Sequence, residues 1–365
     1  MDLLTPHRVP LSWLTQHGSE TIRLRALREL APPGQAGLDL MEAAVLESKP
    51  AVTVAKKQKD TGSWGGNLLG IKPSAREGIR DVGTIAQYRR LVQLGCPRTG
   101  RAFKLADRLL FRLLSRDEDP TLLFEYAKLG KDNPVVAEQL RDMGRQAATC
   151  ALAEAGHMED PRIRGAAHKI ASAVSAFLRS DLSEKPFSKA GRTVILHPEA
   201  HPPTWYSLAM IAAMPNLQRE RAGFTERLGQ YLSLPAPKKN YVIQVGKKAL
   251  KPTAVLLGDP IEADARGNSR DLPLALLAIE LLARIGAVAS SASAERILTR
   301  LYGECDDHGV WRPKRLTAAP KAANPASYHF YPLHPENKAG DARLVDVTFR
   351  LALIAKLMGR PIEYT

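Results

Sequence analysis

Leucine and alanine recur along most of this 365-residue chain at spacings of three and four, and long alternations of Val, Ile and Thr are absent. That pattern predicts helices almost throughout. Ser19-Glu20-Thr21-Ile22 opens a helix carrying Ile22, Leu24, Leu27 and Leu30, and Pro32-Pro33-Gly34 stops it. A second runs from Leu38 to Ser48 and is ended by Pro50, leaving residues 51–58 as a lead-in to a turn around Trp64. Ile79 to Leu94 and Arg101 to Leu114 form a pair separated by Gly95-Cys96-Pro97. Asn133-Pro134 and Asp160-Pro161 each start a long helix, with proline in the first turn.

Beyond residue 180 the pattern loosens. Lys185 to Pro203 is Pro-rich, with an extended segment at Thr193-Val194-Ile195-Leu196. Short helices follow over Trp205–Met214 and residues 216–232. Tyr241–Val245 and Ala254–Leu257 read as short extended pieces. Leu272–Ile285, Ser293–Tyr302 and Leu344–Leu357 are helical, and residues 317–340 form a long loop with four prolines. Helices of about 10 to 20 residues joined by short connections imply successive α-hairpins. We read residues 1–365 as a single helical array, with the Pro-rich segment 185–203 as its best internal boundary.

Two glycine turns carry more information than the helices. Gln58 leads into Asp60-Thr61-Gly62-Ser63-Trp64, and Asp307-His308-Gly309-Val310-Trp311 repeats its Asp-x-Gly-x-Trp pattern near the other end. Glycine allows the turn, tryptophan supplies a large packing surface, and Gln58 offers an amide to a helix terminus. The spacing Gln-x-x-x-Gly-x-Trp resembles the QW motif of squalene-hopene cyclases and related α/α-toroid proteins, a fold shared with protein prenyltransferase β subunits. It is similar too to uncharacterised bacterial proteins of squalene-cyclase or prenyltransferase-repeat type. The resemblance implies an all-α fold of the α/α-toroid kind; a curved α-hairpin solenoid is the alternative, and the extended pieces at Tyr241–Val245 and Ala254–Leu257 add minor β content. This chain departs from the family where Thr61 replaces an aspartate and where Cys305 replaces the glutamine of the second turn.

The chemistry expected of that family is not matched. Its cyclases carry an Asp-x-Asp-Asp acid, and the nearest string here is Asp117-Glu118-Asp119-Pro120, which lacks the last aspartate and suits a helix entry. Asp306 is a third candidate acid without a flanking partner at the right spacing. The prenyltransferase zinc set needs Asp-x-Cys, and position 303 is glycine before Cys305. His197 and His201 are four apart but lie among prolines. No metal or cofactor is therefore expected, and Gly65-Gly66-Asn67-Leu68-Leu69-Gly70 lacks the Lys-Ser/Thr of a phosphate loop. The reading is a scaffold or binding protein for a partner protein or apolar ligand. A divergent terpenoid cyclase or prenyltransferase-type enzyme is the alternative, and a nucleic-acid-binding helical array the second.

Charge bears on that last alternative. The formal net charge is +14 and the pI about 9.7, a balance that suits nucleic acid or simply a solvated basic surface. Two basic groups stand out, Arg89, Arg90, Arg98, Arg101, Lys104, Arg108 and Arg112, and Lys238, Lys239, Lys247, Lys248 and Lys251. The three cysteines, Cys96, Cys150 and Cys305, are too sparse for a disulfide framework. The longest apolar run, Leu272 to Val288, holds Glu280 and Arg284 and suits a buried helix better than a bilayer span. A cytoplasmic protein without a membrane span is the resulting expectation.

Overall fold

A computed structural model of the chain describes residues 5–70, 83–115, 123–131, 133–335, 338 and 340–365. Its elements run, in chain order, β1 (His7–Val9), α1 (Leu11–His17), α2 (Glu20–Arg25), α3 (Leu38–Glu47), α4 (Lys49–Lys56), α5 (Gly83–Leu94), α6 (Arg101–Leu114), α7 (Pro134–Glu154) and α8 (Pro161–Phe177). After these come β2 (Phe187–Ala190), β3 (Thr193–Leu196), α9 (Trp205–Ala213), α10 (Pro215–Arg219), α11 (Phe224–Tyr231), β4 (Ile243–Val245) and β5 (Lys248–Leu250). The last are α12 (Leu272–Arg284), α13 (Ala292–Gly303), α14 (Val345–Leu357) and β6 (Ile362–Tyr364). Helix accounts for 53% and strand for 8%, so the fold is all-α with small sheets. No described helix is long and apolar enough to cross a membrane.

Local chemistry explains several helix starts. Ser19 accepts from the Ile22 N–H, Asn133 from Val136 at 3.2 Å and Asp160 from Arg162 at 2.9 Å, each satisfying an orphan donor of the first turn. Thr204 and Ser207 form a reciprocal capping box that starts α9. Pro50 behaves differently from the sequence reading. It lies in the first turn of α4, where its missing N–H costs nothing, so residues 51–56 are helical and not a lead-in. α5 starts at Gly83 among the described residues, and positions 79–82 of the expected helix lie outside them.

The strands form three two-stranded sheets. β2 and β3 pair antiparallel around Gly191. β4 pairs with β5 across Gly246, whose φ of +58° permits the reversal. The expected extended piece at 254–257 contributes only an isolated bridge, Thr204 to Val255. β1 pairs in parallel with β6, His7 opposite Ile362 and Val9 opposite Tyr364.

Two compact units emerge. The first comprises Met1–Lys56, Arg90–Pro97 and Ile261–Thr365, and the second Lys57–Arg89 and Arg98–Pro260. The segment 185–203 lies inside the second. In the first unit, α12 and α14 are buried on nearly every face, whereas α13 buries one side through Ile297, Leu298 and Leu301. Val9, Leu14, Ile22, Leu30, Phe349 and Leu353 share its core. In the second unit α7 is the central helix, packing against α6, α8 and α9. The β4–β5 hairpin covers the N-terminal part of α7 through Val245, Val136 and Leu140.

Candidate functional site

The glycine turns share the same backbone bonds. In the turn of the second unit Gln58 and Trp64 face each other as a bridge, Lys59 donates to the Ser63 carbonyl and Gly62 to the Lys59 carbonyl, both at 2.9 Å. In the first unit Cys305 faces Trp311, Asp306 donates to Val310 and Gly309 to Asp306, again at 2.9 Å. Both glycines adopt φ of +85°. Each tryptophan is only 3% exposed, and its backbone N–H donates to a threonine hydroxyl, Trp64 to Thr84 at 3.0 Å and Trp311 to Thr348 at 3.1 Å.

Both glycines are also pressed against a neighbouring backbone. A Cβ on Gly62 would lie 2.7 Å from the Leu105 carbonyl carbon in α6, and one on Gly309 would lie 2.8 Å from that of Arg8 in β1. Gln58 adds a bond from Nε2 to the carbonyl of Ala102, in the first turn of α6, at 2.8 Å.

A third turn of this kind escaped the sequence reading. Ala263 faces Ser269, Asp264 donates to Asn268 and Gly267 to Asp264, at 3.0 and 3.1 Å. Gly267 has φ of +75°, and a Cβ there would meet the Arg296 carbonyl carbon of α13 at 2.8 Å. Serine replaces the tryptophan, which is why a search keyed on Trp passed over it. The visible signal was Asp-x-x-Gly, shared by Asp264–Gly267 and Asp306–Gly309.

That comparison assigns the acids. Asp306 Oδ1 accepts from the His308 and Val310 N–H groups at 3.0 and 2.9 Å, and Asp264 Oδ1 accepts in the same way from Arg266 and Asn268. Asp306 is thus a turn-capping residue, further tied to Arg312 at 2.8 Å. Asp60 and Asp307, the aspartates of the Asp-x-Gly-x-Trp pattern, face solvent instead, opposite Arg101 and Arg8 respectively. Asp117 and Asp119 lie outside the described residues. Among those described, no group of three or more His, Cys, Asp or Glu is gathered as a metal site.

The densest charge chemistry lies elsewhere, in the first unit. Arg350 of α14 is fully buried and donates to Glu280 of α12 at 2.7 Å. Glu280 also receives Arg284 at 2.8 Å. Arg25 forms a two-pronged pair with Glu29, and both Arg25 and Arg350 reach the Gln93 amide oxygen, at 2.8 and 3.2 Å. Burial alone would raise the Glu280 pKa, but the charges of Arg350, Arg284 and Arg25 outweigh it and hold the carboxyl at about 2. Burial pulls Arg350 down to about 10 against the opposing pull of Glu280.

Other buried charges hold connecting backbone. Arg350 donates to the Phe330 carbonyl at 2.7 Å, and Arg90 to those of His329 and Pro332. Asp346 accepts the Leu333 and His334 N–H groups at 2.7 and 3.1 Å. In the second unit Glu125 accepts from Leu68 and Leu69, 2.9 and 2.6 Å away. Burial raises both carboxyls above their usual range in spite of those bonds.

The basic groups divide in the same manner. Arg89 is buried in a forked pair with Glu154, 2.8 Å at its second prong, and Arg98 lies over the Phe103 ring. Arg101, Lys104, Arg108 and Arg112 stay exposed. Cys96 and Cys150 are buried free thiols, and Cys305 is half-buried with its thiol pushed up to about 12 by burial and by the adjacent Asp306 and Glu304 charges. Comparison of the chain with protein-family models, with curated proteins and with solved structures finds no match.

Proposed function

We propose that this chain is a helical scaffold of the α/α-toroid kind, or a closely related curved array of α-hairpins, that holds a partner protein or an apolar ligand and does not carry out terpenoid chemistry. One observation supports this above others. The same glycine corner occurs at 58–64, 263–269 and 305–311, and the first two seat their glycine on the second described helix that follows, α6 and α13. A repeated turn–helix–helix unit is the sequence-to-structure signature of helical repeat folds. Within the first unit, α12 and α14 buried all round beside a one-sided α13 fit the inner and outer helices of such an array. The carboxylates described above speak for a structural role, because Asp306, Asp346 and Glu125 each accept backbone N–H groups.

The test is turnover. Purified protein is incubated with squalene and, separately, with farnesyl and geranylgeranyl diphosphate with and without a thiol peptide acceptor, and products are followed by mass spectrometry. The scaffold reading expects no product above the heat-inactivated control. Turnover that Asp306→Asn leaves intact would point to an acid elsewhere, and any protein-dependent turnover overturns the scaffold.

A further inference from the structure

We propose that the exposed face of α6 in the second unit docks the phosphate backbone of nucleic acid. Arg101, Lys104, Arg108 and Arg112 are all exposed and recur at steps of three, four and four. At 100° per residue they fall within an arc of about 80°, and at 1.5 Å rise they span about 16 Å of helix. The opposite face is committed to the core through Phe103, Ala106, Leu110 and Leu113. Only the cationic stripe is therefore presented.

Neutralising partners are few. Among the described residues, Arg101 meets Asp60, an exposed pair worth little, and no carboxylate is paired with Lys104, Arg108 or Arg112. Two described carboxylates near the helix are engaged elsewhere. Asp107 takes the Tyr88 hydroxyl at 2.6 Å and faces His157, and Glu154 takes Arg89. Arg162 on α8, stacked 4.1 Å from the Phe111 ring centroid, is held by Asp160 at 2.8 Å and adds no free charge to the stripe.

A line of four cations offers charge to phosphates and includes no Asn, Gln, Asp or Glu to read adenine or cytosine edges. Binding should then be sequence-independent and steeply salt-dependent. A membrane surface is a poorer fit, since interfacial helices expose large apolar side chains for insertion and α6 exposes none. This assignment goes beyond the scaffold reading, and the two fail separately: isoprenoid turnover would remove the scaffold, and absence of oligonucleotide binding would remove only the docking surface.

The experiment is fluorescence anisotropy of the full-length chain with a labelled 20-nucleotide oligo-dT and a labelled 20-base-pair duplex, between 50 and 200 mM NaCl. Lys104→Gln/Arg108→Gln/Arg112→Gln is expected to weaken binding at 50 mM salt at least tenfold. It should flatten the slope of log K against log salt by about 2 to 3, at about 0.7–0.9 per phosphate contact. Lys238→Gln/Lys239→Gln/Lys251→Gln, three exposed lysines, is the charge-matched comparison and should leave the slope nearly unchanged. If the triple variant melts early by circular dichroism, the three single variants replace it, each lowering the slope by about 0.7–0.9. The proposal is overturned by no binding of either oligonucleotide at 50 mM salt, by equal losses in both variant sets, or by an unchanged slope in the α6 variants. Capture by phosphatidylserine vesicles or by polyglutamate, without oligonucleotide binding, overturns it as well.

Discussion

Replacing Gly309 with alanine tests the corner directly. Its φ of +85° lies in the left-handed region, which costs a residue with a Cβ about 1–2 kcal/mol. The new methyl would also meet the backbone of Arg8, 2.8 Å from the carbonyl carbon and 3.1 Å from its Cβ. β1 has little freedom to retreat, because His7 donates to Pro361 at 2.8 Å and Thr365 to Val9 at 3.0 Å. Forcing a methyl against fixed backbone adds about 1–3 kcal/mol, so the total is about 2–5 kcal/mol. Gly286→Ala separates the two contributions. It lies in the same unit, has φ of +72°, and has no atom within 4 Å of its would-be Cβ. It should lose only the strain. The unfolded-state gain of adding a methyl, about 0.4–1 kcal/mol, is common to both variants and cancels in the comparison. Urea unfolding followed by far-ultraviolet circular dichroism gives the midpoints. Equal midpoints for the two variants would show that the close approach to Arg8 contributes nothing.

Thr348→Val and Thr84→Val each strip the acceptor from a buried tryptophan N–H and should cost about 1–3 kcal/mol in thermal melts, with Ser substitutions recovering most of it. Glu280→Gln leaves Arg350 buried without its countercharge and should destabilise by about 3–5 kcal/mol, measured by urea titration at pH 7. Because Glu280 falls from 4.5 to about 2 on folding, it contributes about 3 kcal/mol that is complete above pH 4.5 and disappears as pH falls toward 2; the wild-type minus Glu280→Gln difference should shrink across that window. His7 is held at about 4 by burial and by the Arg360 charge, so its neutral form is the folded one. Stability should drop by up to about 3 kcal/mol as pH falls from 6.5 to 4, and His7→Gln should flatten that slope. Cys305, with its thiol raised to about 12, should react with iodoacetamide at pH 8 far more slowly than free cysteine, and fast labelling of the native chain would contradict its placement.

What could be read from the sequence was what local chemistry decides. The caps at Ser19, Asn133 and Asp160 and the period of the long helices are short-range signals, and the helices begin there. Trp64 and Trp311 stand out because a large indole two residues after a glycine is conspicuous, and both are buried. The corner at 263–269 has the same backbone but presents Ser269, so nothing large marks it. Pro50 misled because proline both stops and starts helices, and only its neighbours decide which. Adjacent arginines misled in another way. Arg89 and Arg90 look like one basic surface with Arg101 to Arg112, yet each is buried against its own acceptors while the α6 residues are not. The Arg350–Glu280–Arg284 network joins positions 70 residues apart, and no spacing rule signals such a meeting.

The parallel pairing of β1 with β6 has a consequence for biosynthesis. Residues 7–9 leave the ribosome 355 residues ahead of their partners 362–364. Until then Arg8 has no ladder, and the corner at Gly309 has no strand to rest on. The second unit, whose segments lie between residues 57 and 260, has its whole complement available far sooner. Vectorial synthesis thus favours an order in which the second unit matures early, while β1 waits as an unpaired edge. That interval is when a chaperone would have most to protect.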